Sequence, residues 1–459
     1  MPPFAYLALL GGLAIGSPTE RENHSGFLTV ETSNGPITGH IAPNSSNVLE
    51  YLGIPYVKPP IGNLRFALPE PFTSNQSFHA SNFGFDCPLS PSRQIDYPDM
   101  TPQAQRIISY FASGAGTPQS EDCLTLNIWT KQANEARSYR KSVIVFFYGG
   151  RFAIGNTNSP FYNGKLFAAA QDVVVVTITI AGQSSGGVAV DYWSYAYTED
   201  PIVTVAAAIN CLNTTNAMRC MRTRRWEDIK SAAAAVRPAS SSSVLRSIPP
   251  FYPMVDNETV FPDYMSLTKT GKFSSLPVLF GNNNNEDGYY RIPAYGNGVV
   301  PTSDQVKSFL LESFTCPNTY QAEARRERGI STWVYRYFGD WGNTRLFPTS
   351  GAYHGVDLHM MFGGSENVSG IAPSDPQKQT TALMQKVWAT FANDPLNGLS
   401  SVVGWPKFDP SEESLILLAF ENNPEPQFVK PEVYDAPCST ITLGALATPA
   451  SASIGFEKW

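Results

Sequence analysis

A mostly parallel β-sheet covered by helices on both faces is the fold class predicted by this sequence, on three observations. Two continuous apolar runs, Ser142 to Phe147 (SVIVFF) and Val173 to Ile180 (VVVVTITI), have the composition of strands buried on both faces rather than the alternation of a half-exposed sheet. Each runs into a glycine-rich turn: Tyr148-Gly149-Gly150-Arg151-Phe152 after the first, Gly182-Gln183-Ser184-Ser185-Gly186 after the second. Leu383, Met384, Val387, Trp388 and Phe391 recur at helical spacing, the core face of a covering helix. In a sheet of this kind the active groups belong at the carboxyl ends of the strands.

The remaining elements follow in order. Residues Phe27 to Ile41 alternate around Asn34-Gly35-Pro36 and predict an antiparallel hairpin that starts a sheet. Residues 51 to 66 (YLGIPYVKPPIGNLRF) carry enough proline and glycine to be read as a loop, pinned down by its aromatics. Leu124 to Trp129 predicts a strand, SVIVFF a buried one, and Pro277 to Phe280 a strand leading into Gly281-Asn282-Asn283-Asn284-Asn285-Glu286-Asp287-Gly288. Trp333 to Phe338 predicts a further strand, and the stretch after Pro424, rich in Pro, Ser, Ala and Thr, a surface wrap or loose tail.

With 459 residues, 42% of them hydrophobic and 12% aromatic, the chain can bury a large core, and one domain with insertions is expected. A net charge of -7 with no basic stripe excludes a phosphate-backbone partner, so nucleic acid is not expected. Phe4 to Ile15 is apolar but too short to span a bilayer, and Ala14-Ile15-Gly16 before Ser17 has the form of a signal-peptidase site. Residues 1–16 are therefore read as a secretory signal, 17–459 as a single domain, and 424–459 as its Pro/Ser-rich tail. Six sequons, at Asn23, Asn44, Asn75, Asn213, Asn257 and Asn367, agree with a secreted glycoprotein, and no later segment predicts a membrane helix.

Six cysteines fit an oxidising compartment. Cys211 and Cys220 bracket a short polar stretch, Cys87 with Cys123 would close a longer loop, and Cys316 and Cys438 could pair or stay free. None has the spacing of a zinc site, and no metal or cofactor is expected.

A serine at a sharp strand-to-helix turn is a nucleophile candidate, and small residues around Ser184 allow such a turn. Serine needs an imidazole beside it, and the imidazole a carboxylate to orient it. Of the five histidines, His24, His40 and His79 precede the sheet core. His354, in Gly351-Ala352-Tyr353-His354-Gly355, follows a strand on a loop able to reach Ser184, whereas His359 has the apolar neighbours of a structural residue. Glu286 is the acid candidate and Asp287 the neighbouring alternative. The order Ser184, Glu286, His354 is that of an α/β-hydrolase triad. The backbone N–H groups of Gly150, Arg151 and Ser185 could serve as oxyanion donors.

Taken together these residues resemble the type-B carboxylesterase/lipase family of α/β hydrolases, which includes cholinesterases and secreted fungal lipases. The segment at 51 to 66 is similar to the family's GIPYA-x-PP-x-G-x-LRF, Glu121-Asp122-Cys123-Leu124-x-Leu126-Asn127 to its second signature, and Gly182 to Gly187 to its nucleophile turn. The resemblance runs from about residue 27 to about 435. It implies an α/β-hydrolase fold, a Ser184–His354–Glu286 triad acting on a small-molecule or lipid ester, and disulfides Cys87–Cys123 and Cys211–Cys220. It also implies that the Cys87 to Cys123 loop, with its amphipathic stretch Gln105 to Phe111, is similar to the lid of the family's lipases.

Two family segments are absent. Val173 to Thr177 joins Ile178-Thr179-Ile180 directly, where the family has a strand, a helix and Phe-Gly-Gly between two strands. After Asp200-Pro201-Ile202-Val203 the next expected strand is also missing. Parallel neighbours need a crossover of about a dozen residues, so strands are expected to be lost from the sheet. Two functions remain open at this stage: a secreted serine esterase or lipase, or a truncated, catalytically impaired member with a binding role or arising from mis-spliced coding sequence.

Overall fold

The computed structural model describes residues 28–45, 47–89, 93–112, 117–132, 140–150, 154–178, 201–212, 216–235, 244–245, 261 and 263–441. The chain begins with an antiparallel hairpin, β1 (Thr29–Thr32) and β2 (Gly35–Thr38), turned at Gly35 with φ +87°. A Cβ at Gly35 would lie 2.6 Å from the Gln76 carbonyl oxygen, so both conformation and space require glycine. β3 (His40–Ile41) and β4 (Val48–Pro55) follow, and β5 (Phe78–His79) adds to the hairpin as a small three-stranded sheet.

β4 corrects the sequence reading of residues 51 to 66 as loop throughout. Its last five residues carry a glycine and a proline, which were read as breakers. Gly53 instead takes φ +67° at a register shift between Tyr51 and Ile54, a bulge that bends the strand without ending it. Its N–H goes to the Asn127 side chain at 2.9 Å, and Pro55 closes the strand, where a missing N–H costs little.

β6 (Thr125–Lys131), β7 (Val143–Phe147) and β8 (Val174–Ile178) complete a five-stranded sheet in the order β3-β4-β6-β8-β7. β9 (Val278–Asn283), β10 (Thr332–Tyr337), β11 (Leu415–Leu418) and β12 (Gln427–Val429) form a separate four-stranded sheet in the order β12-β11-β10-β9. The expectation of one mostly parallel sheet is therefore corrected. In the first sheet only β7 and β8 run parallel, and β3–β4, β4–β6 and β6–β8 are antiparallel. In the second, β9–β10 and β10–β11 are parallel and β11–β12 antiparallel. Among the described residues no strand joins β7 to β9, and the ladder stops at both edges.

β7 carries a second correction. SVIVFF has the composition of a strand buried on both faces, yet Val143, Val145 and Phe147 are exposed by 55%, 46% and 41%. Phe146 on the opposite face is buried against Tyr162 and Phe362. β7 thus packs on the core through one face only.

Side-chain packing spans the interruption. A single hydrophobic cluster includes Trp129, Phe146 and Val175 from the first sheet and Trp333, Tyr335 and Tyr337 from the second, with Met384, Val387 and Ala389 of the helix Asp375–Asn393. This is the covering helix read from the spacing at 383–391. Three disulfides tie the surface: Cys87–Cys123, Cys211–Cys220 and Cys316–Cys438. The last pairs two cysteines that sequence left unassigned, and it anchors residues after Pro424, where β12 also extends the sheet. Near the first two disulfides Arg65 Nε meets Glu121 Oε1 at 2.5 Å, joining two of the family-like segments, and Arg65 Nη1 donates to the carbonyls of Met221 and Arg224.

Candidate functional site

Glu286 and His354 meet across two loops that the sequence alone holds far apart. β9 ends at Asn283, whose N–H donates to Glu286 Oε1 at 2.7 Å, and Glu286 Oε2 lies 2.6 Å from His354 Nδ1. Both carboxylate oxygens are thus engaged, and the side chain is only 5% exposed against 14% for His354. A carboxylate on Nδ1 fixes the ring orientation and leaves Nε2 free to handle a proton.

The two loops are fastened to each other. Asn284 N–H donates to the Tyr337 carbonyl, Asn285 N–H to the Ala352 carbonyl, and Asn283 Nδ2 to the Tyr353 carbonyl at 2.8 Å. Gly288 packs so closely that a Cβ would stand 2.3 Å from the Ser350 carbonyl oxygen. The neighbouring acid, Asp287, turns away to pair with Arg291 at 2.6 Å, one helical turn along Asp287–Gly296. His354 comes less directly after its strand than expected: residues 338 to 353 intervene, held by the Arg345–Asp340 pair and by Tyr353 Oη donating to the Thr344 carbonyl.

A cleft of about 200 Å³ opens here, lined by Glu286 and His354 together with Gly149 and Gly150 from the loop after β7. Gly150 has φ +137°, and a Cβ there would fall 1.9 Å from the Ile154 carbonyl oxygen. The chain can turn this way only with glycine. Much of the wall is aromatic, beside Asn282, Asn283 and Asp357: Phe111, Tyr290 and Phe314 surround the His354 ring at centroid distances of 6.3, 5.1 and 5.7 Å. Phe111 comes from the helix Ala104–Ala112, the amphipathic stretch noted in sequence, which docks through Arg106 onto the carbonyls of Val368 and Asn367.

Four residues at this site were not singled out from sequence. Asp357 is half-buried beside the Glu286–His354 pair, accepts from Asn283 Nδ2 at 3.0 Å, and has its carboxyl pushed upward by desolvation. Asn283 thereby binds two acids and a carbonyl at once, a role hidden in a run of four asparagines. Tyr290 and Phe314 sit at positions where sequence shows only ordinary apolar helix faces. His359, by contrast, has the structural place expected of it: fully buried against Phe161 at 4.4 Å, its imidazole driven down to about 3 by burial.

Gly150, Glu286 and His354 are therefore brought to one cleft. Ser184, Arg151 and Ser185 lie outside the described residues, as do the sequons at Asn23, Asn213 and Asn257. The asparagines of the other three sequons, Asn44, Asn75 and Asn367, are exposed. Among the described residues there is no cluster of metal-ligating side chains, and no helix is long and apolar enough to cross a membrane.

Residues 27–180 match the model of the carboxylesterase family. A chlorogenic acid esterase of Aspergillus niger is 25% identical over 88% of this chain and 92% of its own length. Secreted lipase 5 of Gibberella zeae is 25% identical over 94% of this chain and 97% of its own. Para-nitrobenzyl esterase of Bacillus subtilis is 24% identical over 86% and 96%. The first alignment extends over 495 positions, more than the 459 residues of this chain, so the relative carries segments with no counterpart here. Over residues 27–180, and at about 25% identity along most of its length, the chain is thus similar to the carboxylesterase family.

Proposed function

We propose that this chain is a carboxylic ester hydrolase in which Ser184 attacks the ester carbonyl, His354 Nε2 takes its proton, and Glu286 holds the imidazole. The observation that carries the reading is the 2.6 Å contact between His354 Nδ1 and Glu286 in a cleft shared with Gly149 and Gly150. Attack would produce a tetrahedral oxyanion, for which the N–H groups of Gly150, Arg151 and Ser185 are the donors. Collapse expels the alcohol, protonated by His354, and leaves an acyl group on Ser184. Water, deprotonated by the same imidazole, then releases the acid. The aromatic walls suit an ester with an apolar or aromatic acyl or alcohol part, in keeping with relatives named as a chlorogenic acid esterase and a lipase. The α/β-hydrolase fold, single-domain organisation over 17–459, a signal at 1–16, glycosylation and secretion complete this reading. Three disulfides and exposed sequon asparagines support it.

The interruption of the sheet between β7 and β9 favours a second reading, in which the chain retains the triad residues but is catalytically impaired. The loop after β7 and the pair after β9 would then be offset, and a misplacement of about 1 Å costs on the order of a hundredfold in rate. Labelling of the folded, secreted chain by a fluorophosphonate, compared with Ser184→Ala, separates the two. Labelling lost in the variant supports the hydrolase; a folded chain that takes up no label gives the second reading.

A further inference from the structure

Behind the Glu286 loop lies a second cavity, of about 300 Å³, whose chemistry the hydrolase reading leaves unused. Its polar lining comes from five elements: Arg291, Ser303 with Lys307, Thr315, Arg336, and Tyr434. Three of these side chains are cations, and no carboxylate is among the lining residues. Arg291 is held by Asp287 at 2.6 Å, and Lys307 reaches in from the exposed side of the helix Ser303–Leu310.

Arg336 is the unusual member. It sits on β10, its guanidinium lies 4.5 Å from the Tyr434 ring centroid, and its Nε donates to Asn284 Oδ1 at 3.0 Å. Those two contacts fix the plane of the fork and use one of its five N–H donors. Among the described residues Arg336 forms no ion pair; Asp435 and Glu286 act on it only at longer range, while burial pulls its guanidinium below the usual arginine value. Arg291 is already paired with Asp287 and Lys307 lies in solvent, so Arg336 is the cation whose remaining N–H donors face the cavity without a counter-charge in its lining.

We propose that this cavity binds a small multivalent oxyanion of the phosphate or sulfate class. A planar fork held by stacking supplies paired N–H donors, Lys307 supplies a mobile charge at the mouth, and Ser303 and Thr315 supply hydroxyls. The site is separate from the His354 cleft, with which it shares no lining residue.

Calorimetric titration of the full chain with sodium phosphate, against sodium chloride at matched ionic strength, tests the assignment. Saturable binding with a dissociation constant below about 1 mM is expected. Lys307→Glu should weaken it at least tenfold with unliganded thermal unfolding unchanged, and Arg336→Met should abolish it. Lys307 is exposed, so its variant serves even if Arg336→Met fails to fold. Absence of saturable heat, or equal affinity in wild type and Lys307→Glu, overturns the proposal; the second result would mean an adventitious ion only.

Discussion

Gly355 and Phe111 are in a contact that leaves no room for a side chain: a Cβ on Gly355 would come within 2.8 Å of the Phe111 ring. Gly355 also has φ +82°, a region costing other residues about 1–2 kcal/mol. The residue after His354 is thus pressed against the helix Ala104–Ala112. Gly355→Ala should displace the helix or the histidine loop. Fluorophosphonate labelling slowed by about tenfold or more, with stability lowered by about 2 kcal/mol in urea titration, is the expected result. Unchanged labelling would mean that the helix moves freely away.

The two adjacent acids, Glu286 and Asp287, should separate cleanly. Glu286→Gln keeps the shape but removes the charge facing His354 Nδ1, and on the proposed triad the labelling rate should fall by about 10²- to 10⁴-fold. Asp287→Asn loses its pair with Arg291 and should lower thermal stability while changing the labelling rate by less than about tenfold. Equal rate effects in the two variants would remove Glu286 from the role of orienting acid.

His359 makes the acid side of the stability profile testable. Its folded pKa, about 3, lies below the ordinary 6.5, so between those values the unfolded chain binds a proton that the folded chain refuses. Its contribution is complete above about pH 6.5 and is lost as pH falls, by up to about 1.4 kcal/mol per pH unit. Asp86 and Asp435, raised to about 6 by burial, act in the opposite direction between their ordinary value near 3.8 and 6. His359→Phe should therefore flatten the acid limb of urea stability relative to wild type. At pH 7 it should cost little, since neither ring nitrogen has a hydrogen-bond partner among the described residues. A parallel acid limb in the two proteins would show that His359 titrates normally.

Cys316–Cys438 closes a sequence separation of 122 residues. On chain-entropy grounds such a bond contributes on the order of 5 kcal/mol by restricting the unfolded chain. The double serine variant should unfold at lower urea concentration by an amount equivalent to about 2–5 kcal/mol and should expose the segment after Pro424 to protease first. Loss of stability without early cleavage there would mean that β12 and Tyr320, which bonds the Cys438 carbonyl at 2.8 Å, hold that end unaided.

What sequence shows of this molecule follows from how local each signal is. Apolar runs located β6 to β10, and helical spacing located the helix around Met384, because both depend on residues a few positions apart. β4 was partly hidden because Gly53 and Pro55 are read as breakers unless the partner strand carrying Asn127 is in view. The exposure of Val143 and Val145 was equally invisible, since composition reports what a strand could bury and not whether a neighbour exists to bury it. Glu286 and His354 could be nominated from residue types in glycine-rich loops. Asn283, Asp357 and the rings around His354 could not, because their roles depend on contacts between residues distant along the chain.

The open interval between β7 and β9 has a mechanical consequence. Among the described residues Gly149 and Gly150 are carried by one hydrogen-bonded ladder and Glu286 by another, and what joins the two sides of the cleft there is side-chain packing such as Phe146 against Phe362. Backbone ladders are stiff and indifferent to single substitutions, whereas a packed seam yields by whole methylene groups. Alignment of the two halves is thus a property of the core's side-chain volumes, adjustable one residue at a time and sensitive to temperature.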